Sequence, residues 1–124
     1  TLFARHWRSV RPCGHTTARV IEAIHAAGGV AVLAHPVSIR CGDGLLSREH
    51  AARLVALGVD GLEVIHPRMN REARLHFTRL AETFGLLVTG GSDEHGSGEN
   101  FTRIGSELVS YQMVRDLRRR AGQD

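Results

Sequence analysis

Hydrophobic positions along the chain alternate between stripes at helical spacing and short continuous runs. The stripes predict helices over residues 16–28, 47–57, 70–84 and 114–120. Thr16 or Thr17 is a suitable N-cap for the first of these helices. The runs between them are bounded by glycines and by His-Pro steps, which is typical of strands buried on both faces. They predict strands over residues 30–34, 61–65 and 86–89, with a candidate fourth over 104–109.

The alternation of helices and strands predicts an α/β fold with parallel strands and crossover helices. The three clear strands begin near residues 30, 61 and 86, which is the spacing that βα units need. Residues 1–15 are expected to form an irregular lead-in, 16–96 the βα units, and 97–124 a C-terminal strand and helix. The whole of 1–124 is interpreted as a single domain.

The composition is that of an ordinary globular domain, with 124 residues of which 42% are hydrophobic. The chain has no stretch of apolar residues long enough to cross a membrane and no pattern typical of a secretory signal, so a cytoplasmic protein without membrane contact is expected. The two cysteines, Cys13 and Cys41, are too few for a disulfide framework or a cysteine zinc ribbon.

All 16 basic residues are arginines, and the formal net charge is +3. One interpretation is a nucleic-acid-binding surface. The other is a lysine-poor proteome, which the scattered distribution of the arginines favours. The only dense cluster is formed by Arg115, Arg118, Arg119 and Arg120.

Candidate chemistry lies where the three predicted strands end, because a histidine follows each of them. The segments are Ala34-His35-Pro36, Ile65-His66-Pro67 and Ser92-Asp93-Glu94-His95. The carboxyl ends of parallel strands form the functional edge of α/β folds. These turns are therefore expected to bring ligand-type side chains together.

Asp93 and His95 are two residues apart, so in an extended segment both side chains point the same way. A carboxylate and an imidazole there suit zinc, iron or manganese, and a solvated turn is the alternative. His35 is the other candidate ligand, against a histidine satisfied by a main-chain carbonyl at a strand end. Pro36 predicts an extended conformation for His35.

Four further residues near this edge keep more than one interpretation. Glu63 is either a partner of a metal-binding histidine or an exposed or arginine-paired carboxylate. His66 is a ligand, a substrate contact or a structural cap. Arg68 either contacts phosphate or is a solvated loop residue, and Arg40 has the same two interpretations. Cys41 is expected to be a free thiol, and His25, His50 and His76 are expected on surfaces away from the edge.

Three segments together resemble the polymerase and histidinol phosphatase (PHP) superfamily, and they extend over roughly residues 16–96. They are AGGVAVLAHP, GVDGLEVIHP and LAETFGLLVTGGSDEHG. Within this superfamily the chain looks most like stand-alone phosphoesterases that act on nucleoside 3′,5′-bisphosphates or short oligonucleotides.

The resemblance implies a distorted (β/α)7 barrel with two or three divalent metal ions, manganese, iron or zinc, at the carboxyl ends of the strands. It implies that His35, Asp93 and His95 are metal ligands, and that the reaction is hydrolysis of a phosphomonoester or phosphodiester. His66 and Arg68 are the predicted substrate contacts. No side chain is assigned as a catalytic acid or base.

The chain departs from the family pattern in ways that predict a partial site. The family's opening HxH motif and its further His and bridging Glu are absent, so the chain is interpreted as the C-terminal portion of the barrel. Its expected partners are the missing N-terminal half and a phosphorylated small molecule or short nucleic acid as substrate, and weak activity is expected for the chain alone. Glu94 replaces an aromatic residue, and Arg68-Met69 replaces the usual residues after the second His-Pro step.

Three other interpretations stay open. A PHP-like metallohydrolase with a different substrate, including the PHP domain of a polymerase, belongs to the same class. An arginine-rich nucleic-acid-binding module and an inactive remnant belong to others.

Overall fold

A three-stranded parallel sheet with helices between its strands organises the protein. The structure is a computed structural model that describes residues 14–39, 44–96 and 103–123. The strands are β1 (Val32–Leu33), β2 (Gly61–Ile65) and β3 (Leu87–Gly90), in the order β1-β2-β3. The helices are α1 (Thr17–Ala26), α2 (Arg48–Ala56), α3 (Arg71–Phe84) and α4 (Tyr111–Arg120), and a 3-10 turn covers Pro36–Ser38.

Both strand pairs are parallel, as the alternation of elements predicts. Val32 pairs with Gly61 across β1 and β2, and Gly61 pairs with Leu87 across β2 and β3. An irregularity between Glu63 and Ile65 shifts the second register, and Ile65 pairs with Gly90. Neighbouring strands in the sheet are therefore also consecutive along the chain, which is the order found in α/β barrels.

Polar residues cap the amino ends of the helices, and a glycine ends α3. The Asn70 side chain accepts a hydrogen bond from the Ala73 N–H at 2.8 Å, which satisfies one of the free amides at the start of α3. Gly85 ends the same helix with a φ of 62°, a left-handed conformation that glycine adopts without strain. The other N-caps are Thr16, Ser47 and Ser110.

The core lies between β2 and the helices α2 and α3. Leu62 and Val64 point from β2 into this cluster, and Phe77 of α3 is fully buried there. Ile21 of α1, Ala31 and Val59 form a second cluster, and Leu33 and Leu54 pack against both clusters. The first three helices therefore cover the same side of the sheet, and Glu63 lies on the other side of β2.

Some predicted elements are wrong in extent or type. β1 has only two paired residues, both half-buried rather than buried on both faces, because among the described residues it has a neighbour on one edge alone. Residues 104–109 form no strand, since Ile104 and Leu108 are exposed and Glu107 binds an arginine side chain instead of extending the sheet. α4 begins at Tyr111, three residues earlier than predicted.

No helix in the described part of the chain is long and apolar enough to cross a membrane. The predicted irregular lead-in falls mostly on residues 1–13, and Arg40 and Cys41 belong to a predicted loop. These positions lie outside the described residues, as do Cys13 and residues 97–100.

Candidate active site

The histidine-bearing turns meet at the carboxyl edge of the sheet, as their positions in the sequence predict. The rings of His35 and His66 have centroids 5.7 Å apart in an edge-on arrangement. His66 Nε2 lies 3.2 Å from Asp93 Oδ2, and His95 Nδ1 lies 3.8 Å from Asp93 Oδ1. Four side chains from the ends of three strands thus form a continuous row, which we call the carboxyl-edge row.

Two members of this row have a strained backbone. His35 has a φ of 29° and Asp93 a φ of 52°, and among the described residues no other non-glycine residue has a positive φ. Such a conformation costs about 1–3 kcal/mol for each residue and persists only where the surroundings impose it. Non-glycine residues with positive φ cluster at active sites and ligand-binding turns, so both positions are candidates for a functional role.

The expectation of extended conformations at these positions is therefore wrong. Pro36 disfavours a right-handed helical conformation for His35, but the Glu63 carboxylate accepts the His35 N–H at 2.6 Å and the chain turns left-handed there. Asp93 also turns left-handed, so it does not share a face with His95 by strand alternation. The two side chains approach each other because the turn folds them together.

His66 is almost fully buried, with 1% of its surface exposed, and its hydrogen bonds define its protonated nitrogen. The Arg68 N–H lies 3.0 Å from His66 Nδ1 and can only donate, so Nδ1 is the acceptor. Nε2 therefore carries the proton in the neutral ring. It lies 3.2 Å from Asp93 Oδ2, and it has no hydrogen-bonding partner among the described residues.

His95 has the opposite arrangement. Its Nδ1 lies 2.6 Å from the main-chain oxygen of Asp93, which can only accept, so Nδ1 carries the proton. The neutral ring then presents the Nε2 lone pair, and the ring is exposed. This is the form in which a histidine binds a metal ion through Nε2 while its other nitrogen is fixed by a carbonyl.

Arg74 of α3 holds the segment that follows β2, a role that the sequence did not reveal. Its guanidinium donates to the carbonyl oxygens of His66 and Met69 at 3.4 and 3.3 Å, and it pairs with Glu107 at 2.8 Å. Arg68 contributes its main chain to the His66 ring, and its side chain is exposed. The position of Arg74, eight residues after His66 and one helical turn into α3, is the only sequence signal for this contact.

The side chains of the carboxyl-edge row have the chemistry of metal ligands, but they do not converge on one point. Within residues 14–39, 44–96 and 103–123, no three His, Cys, Asp or Glu side chains converge tightly enough to hold an ion. The row nevertheless combines imidazole and carboxylate groups, the ligands that zinc, iron and manganese accept. The exposed ring of His95 presents an Nε2 lone pair beside the Asp93 carboxylate. The residues therefore fit one side of a metal site.

A second aspartate–histidine pair lies at the amino ends of the strands. Asp60 precedes β2 and accepts hydrogen bonds from His25 at 2.7 Å, the Ala31 N–H at 2.9 Å and Arg120 at 2.9 Å. Burial raises the pKa of the Asp60 carboxyl, but these hydrogen bonds outweigh it, and the net pKa is lower than its ordinary value. His25 is exposed on α1 and away from the carboxyl edge, as expected, and its ring also binds this carboxylate. His76, also expected on a surface, is half-buried and donates from Nε2 to the Leu46 carbonyl at 2.7 Å.

Curated relatives come from two bacteria. The chain is 37% identical over 75 residues to a 5'-3' exoribonuclease of Haemophilus influenzae, a match covering 60% of this chain and 27% of the relative. It is 36% identical over 85 residues to a phosphoribosyl 1,2-cyclic phosphate 1,2-diphosphodiesterase of Eggerthella lenta, a match covering 68% of this chain and 30% of that protein. The matches thus span less than a third of either relative. No protein-family profile matches the chain.

Two solved structures share the fold over 90% of this chain. One is a Bifidobacterium adolescentis protein named provisionally as a metal-dependent phosphoesterase, with a TM-score of 0.76, 38% identity and 38% of its length covered. The other is an amidohydrolase from Chromobacterium violaceum with bound sulfate and no metal, with a TM-score of 0.70, 27% identity and 39% covered. The described α/β structure is thus similar to hydrolases, one of which is named as a metal-dependent phosphoesterase.

Proposed function

We propose that this chain carries the C-terminal portion of a PHP-type, metal-dependent phosphoesterase built as a distorted (β/α)7 barrel. His35, Asp93 and His95 are the proposed metal ligands, and His66 and Arg68 the proposed substrate contacts. The observation that carries this proposal is the pair of opposite proton positions on His66 and His95 at one sheet edge. One ring offers a lone pair suited to a cation, and the other offers an N–H suited to an anionic oxygen.

The division of roles follows from these hydrogen bonds. His95 can bind a cation through Nε2 without losing its bond to the Asp93 carbonyl. His66 could bind one through Nε2 only after its Nδ1 took a proton and lost the Arg68 N–H. We therefore assign His66 Nε2–H to a phosphoryl oxygen, with the exposed Arg68 guanidinium beside the same group.

The proposed reaction is hydrolysis of one phosphoester bond. The oxygen of one water forms the new P–O bond, the bond to the departing alcohol oxygen breaks, and a proton is transferred to that oxygen. Bound divalent ions, two or three of manganese, iron or zinc, would activate the water and neutralise the phosphoryl oxygens. The residues of this chain hold and orient the groups on one side of that reaction.

Phosphate esters of nucleotides are the proposed substrates, as monoesters or diesters. Both curated relatives have names that denote cleavage of phosphodiesters on ribose-containing molecules. The amidohydrolase neighbour makes amide hydrolysis the second candidate, although the sulfate bound there is a tetrahedral anion like phosphate.

We further propose that an N-terminal half of the barrel completes the site. The carboxyl-edge row supplies pairs of ligand groups rather than a full cage in the described residues. Among the described residues β1 pairs on one edge alone, so further strands of a longer domain could extend the sheet there. An apolar groove of about 270 Å³, lined by residues that include Val20, Ile24 and Leu33, offers additional surface for packing. The chain alone is accordingly expected to bind metal weakly and to turn over slowly.

Titration of the chain with Mn²⁺, followed by electron paramagnetic resonance of the free ion, tests the metal assignment. Weak binding is expected, and His95→Ala should weaken it by about tenfold because a ligand is lost. His50→Ala is the matched control, since His50 is exposed on α2 and binds only Ser47 among the described residues. Equal affinities of the two variants would contradict the assignment of His95.

Turnover separates the candidate reactions. Bis(p-nitrophenyl) phosphate and p-nitroacetanilide report diester and amide cleavage, and the proposal expects slow, Mn²⁺-dependent release of nitrophenol from the first alone. Cleavage of only the anilide would favour the amidohydrolase alternative. Rapid cleavage of the diester would contradict the proposal that the chain holds only part of the site.

The arginine-rich binding module predicts a different behaviour. Its affinity for nucleic acid would fall steeply with salt and would not change in His35→Ala. Arg120 pairs with Asp60 and Arg119 with Asp116, so two arginines of the C-terminal cluster already have carboxylate partners. An inactive remnant would bind no metal at all.

A further inference from the structure

Glu63 is a half-buried carboxylate on the side of β2 opposite the core, between the buried Leu62 and Val64. Its Oε2 accepts the main-chain N–H of His35 at 2.6 Å, a short hydrogen bond to a carboxylate. The register of β1 and β2, in which Leu33 pairs with Leu62, brings Glu63 beside the point where the ladder of β1 stops. The carboxylate therefore binds an amide two residues beyond the paired strand.

The bond falls on a strained residue. His35 has φ 29° and ψ 60°, and the following 3-10 turn begins at Pro36. Nothing in a His-Pro step favours this conformation, since proline restricts the preceding residue to extended backbone. A relaxation of His35 to extended backbone would turn its Cβ, and with it the ring that now lies 5.7 Å from His66.

We propose that Glu63 is a positioning residue that holds the His35 main chain left-handed and so keeps the His35 ring in the carboxyl-edge row. Its role in metal binding rests on the proposed function, whereas its hold on His35 does not. Glu63 acts through the backbone of its neighbour and contacts no substrate in this assignment. The hydrogen bond from the His35 N–H to Glu63 stabilises the left-handed conformation, and the backbone strain at His35 destabilises it. The carboxylate therefore maintains a strained backbone at this site.

The first test measures the His35 amide itself by ¹⁵N NMR of the 124-residue chain. In the wild type, the short bond to a carboxylate should shift the amide proton downfield and slow its exchange relative to the Val59 amide, which bonds within the fold to Leu54. Glu63→Ala should remove the shift and speed exchange at His35 by at least about tenfold. Glu63→Gln, which keeps an acceptor oxygen, should lie closer to the wild type than Glu63→Ala does.

The control is Glu82→Ala, a substitution at an exposed position of α3. It should leave the His35 amide unchanged. An unchanged His35 signal in Glu63→Ala, or an equal change of the Val59 and His35 amides, would overturn the proposal, because the first denies the bond and the second indicates a general loss of stability.

The second test detects the strain at His35 by comparing the effect of Glu63→Ala on stability in the wild-type protein and in the His35→Gly variant. In the wild type, Glu63→Ala lets His35 relax, so relief of strain offsets the lost hydrogen bond and the unfolding constant rises by less than about threefold. In His35→Gly there is no strain to relieve, because glycine adopts positive φ freely, and the same substitution should raise the constant by about tenfold. Equal effects in both backgrounds would overturn the strain argument.

Metal binding distinguishes failure of this proposal from failure of the proposed function. If the chain binds Mn²⁺, Glu63→Ala should weaken binding by about tenfold and Glu63→Gln by much less, as for other residues that orient a ligand. Unaltered Mn²⁺ affinity in Glu63→Ala would overturn the positioning role. Absence of Mn²⁺ binding in the wild type would contradict the proposed function, while the amide and background tests would still decide whether Glu63 holds His35.

Discussion

Two aspartate–histidine pairs lie at opposite ends of the same small sheet, and they are built differently. At the amino end, Asp60 accepts hydrogen bonds from His25, Ala31 and Arg120, and every one of these contacts is 2.9 Å or shorter. At the carboxyl end, Asp93 lies 3.2 Å from His66 Nε2 without forming a hydrogen bond, and its backbone is strained. The amino-end pair is saturated with partners, and the carboxyl-end pair keeps unused donors and acceptors.

The difference indicates what each end does for the molecule. Asp60 joins α1, the start of β1 and α4 through one carboxylate, so it stabilises the fold. At the other end, the Asp93 backbone is strained and His66 Nε2 makes no hydrogen bond with the described residues. Both features lower the stability of the fold, so selection for stability alone would not keep them. Unmet bonding capacity at the carboxyl ends of strands is what a binding site requires.

The largest expected effect on stability comes from adding a side chain at Gly90, where β2 and β3 approach each other at the carboxyl end. A Cβ on Gly90 would lie 2.4 Å from Ile65 Cβ and 2.6 Å from the Ile65 carbonyl oxygen. Gly90→Ala should therefore cost about 3 kcal/mol of stability, measured by urea unfolding, because the backbone has to shift. Gly91→Ala is the control, since no atom lies within 4 Å of its added Cβ, and an equal loss there would refute the steric explanation.

The next effect is loss of charge at the amino-end pair. Asp60→Asn should lower the free energy of unfolding by about 2 kcal/mol, because the amide offers one acceptor oxygen where donors converge on both carboxylate oxygens. Asp116→Asn, at a more exposed position on α4, should cost less than about 0.5 kcal/mol. Similar losses in the two variants would remove the claim that Asp60 is a structural centre.

Acid should weaken the amino-end pair selectively. The folded pKa of Asp60 is lower than its ordinary value, so its contribution to stability is complete above about pH 4, the pKa range of unfolded aspartate, and is lost as the pH falls through the folded pKa. Urea unfolding of the wild type at decreasing pH should therefore show a loss that is smaller in Asp60→Asn. Parallel curves for the two proteins would contradict this.

The smallest expected effect on stability is at the carboxyl-end pair, where the same substitution should act on binding instead. Asp93→Asn should change the free energy of unfolding by less than about 0.5 kcal/mol, since asparagine tolerates positive φ and no hydrogen bond to His66 is lost. Mn²⁺ affinity should fall by about tenfold in the same variant. A stability loss as large as that of Asp60→Asn would erase the contrast between the two ends.

Much of the fold was predictable because it depends on local signals. The helical stripes and the N-cap Thr16 act within a few residues, and the structure has them where the pattern indicates. β1 and the expected strand at 104–109 were predicted less well. Pairing depends on a neighbour that no local pattern specifies, and β1 has a neighbour on one edge only among the described residues.

The candidate site was predictable in position more than in geometry. His35, His66, Asp93 and His95 were identified because they follow strands, and parallel strands bring their carboxyl ends to one edge. Their metal and substrate roles stay predictions. Arg74 was missed because it contacts the segment after β2 from an ordinary helical position, and Asp60 was missed because its donors are separated from it by 29, 35 and 60 residues.

By itself, the sequence determined the order of the elements, the parallel sheet that this order requires and the side chains at its carboxyl edge, because periodicity and turn chemistry are local. Only the tertiary structure decided which nitrogen of His66 and His95 carries the proton, that Glu63 binds the His35 amide, and that Asp60 rather than Asp93 is saturated. These features depend on contacts between residues distant in the chain or on the exact path of a turn. Hydrogen bonds are directional and short-ranged, so they are defined only once the backbone has placed their partners.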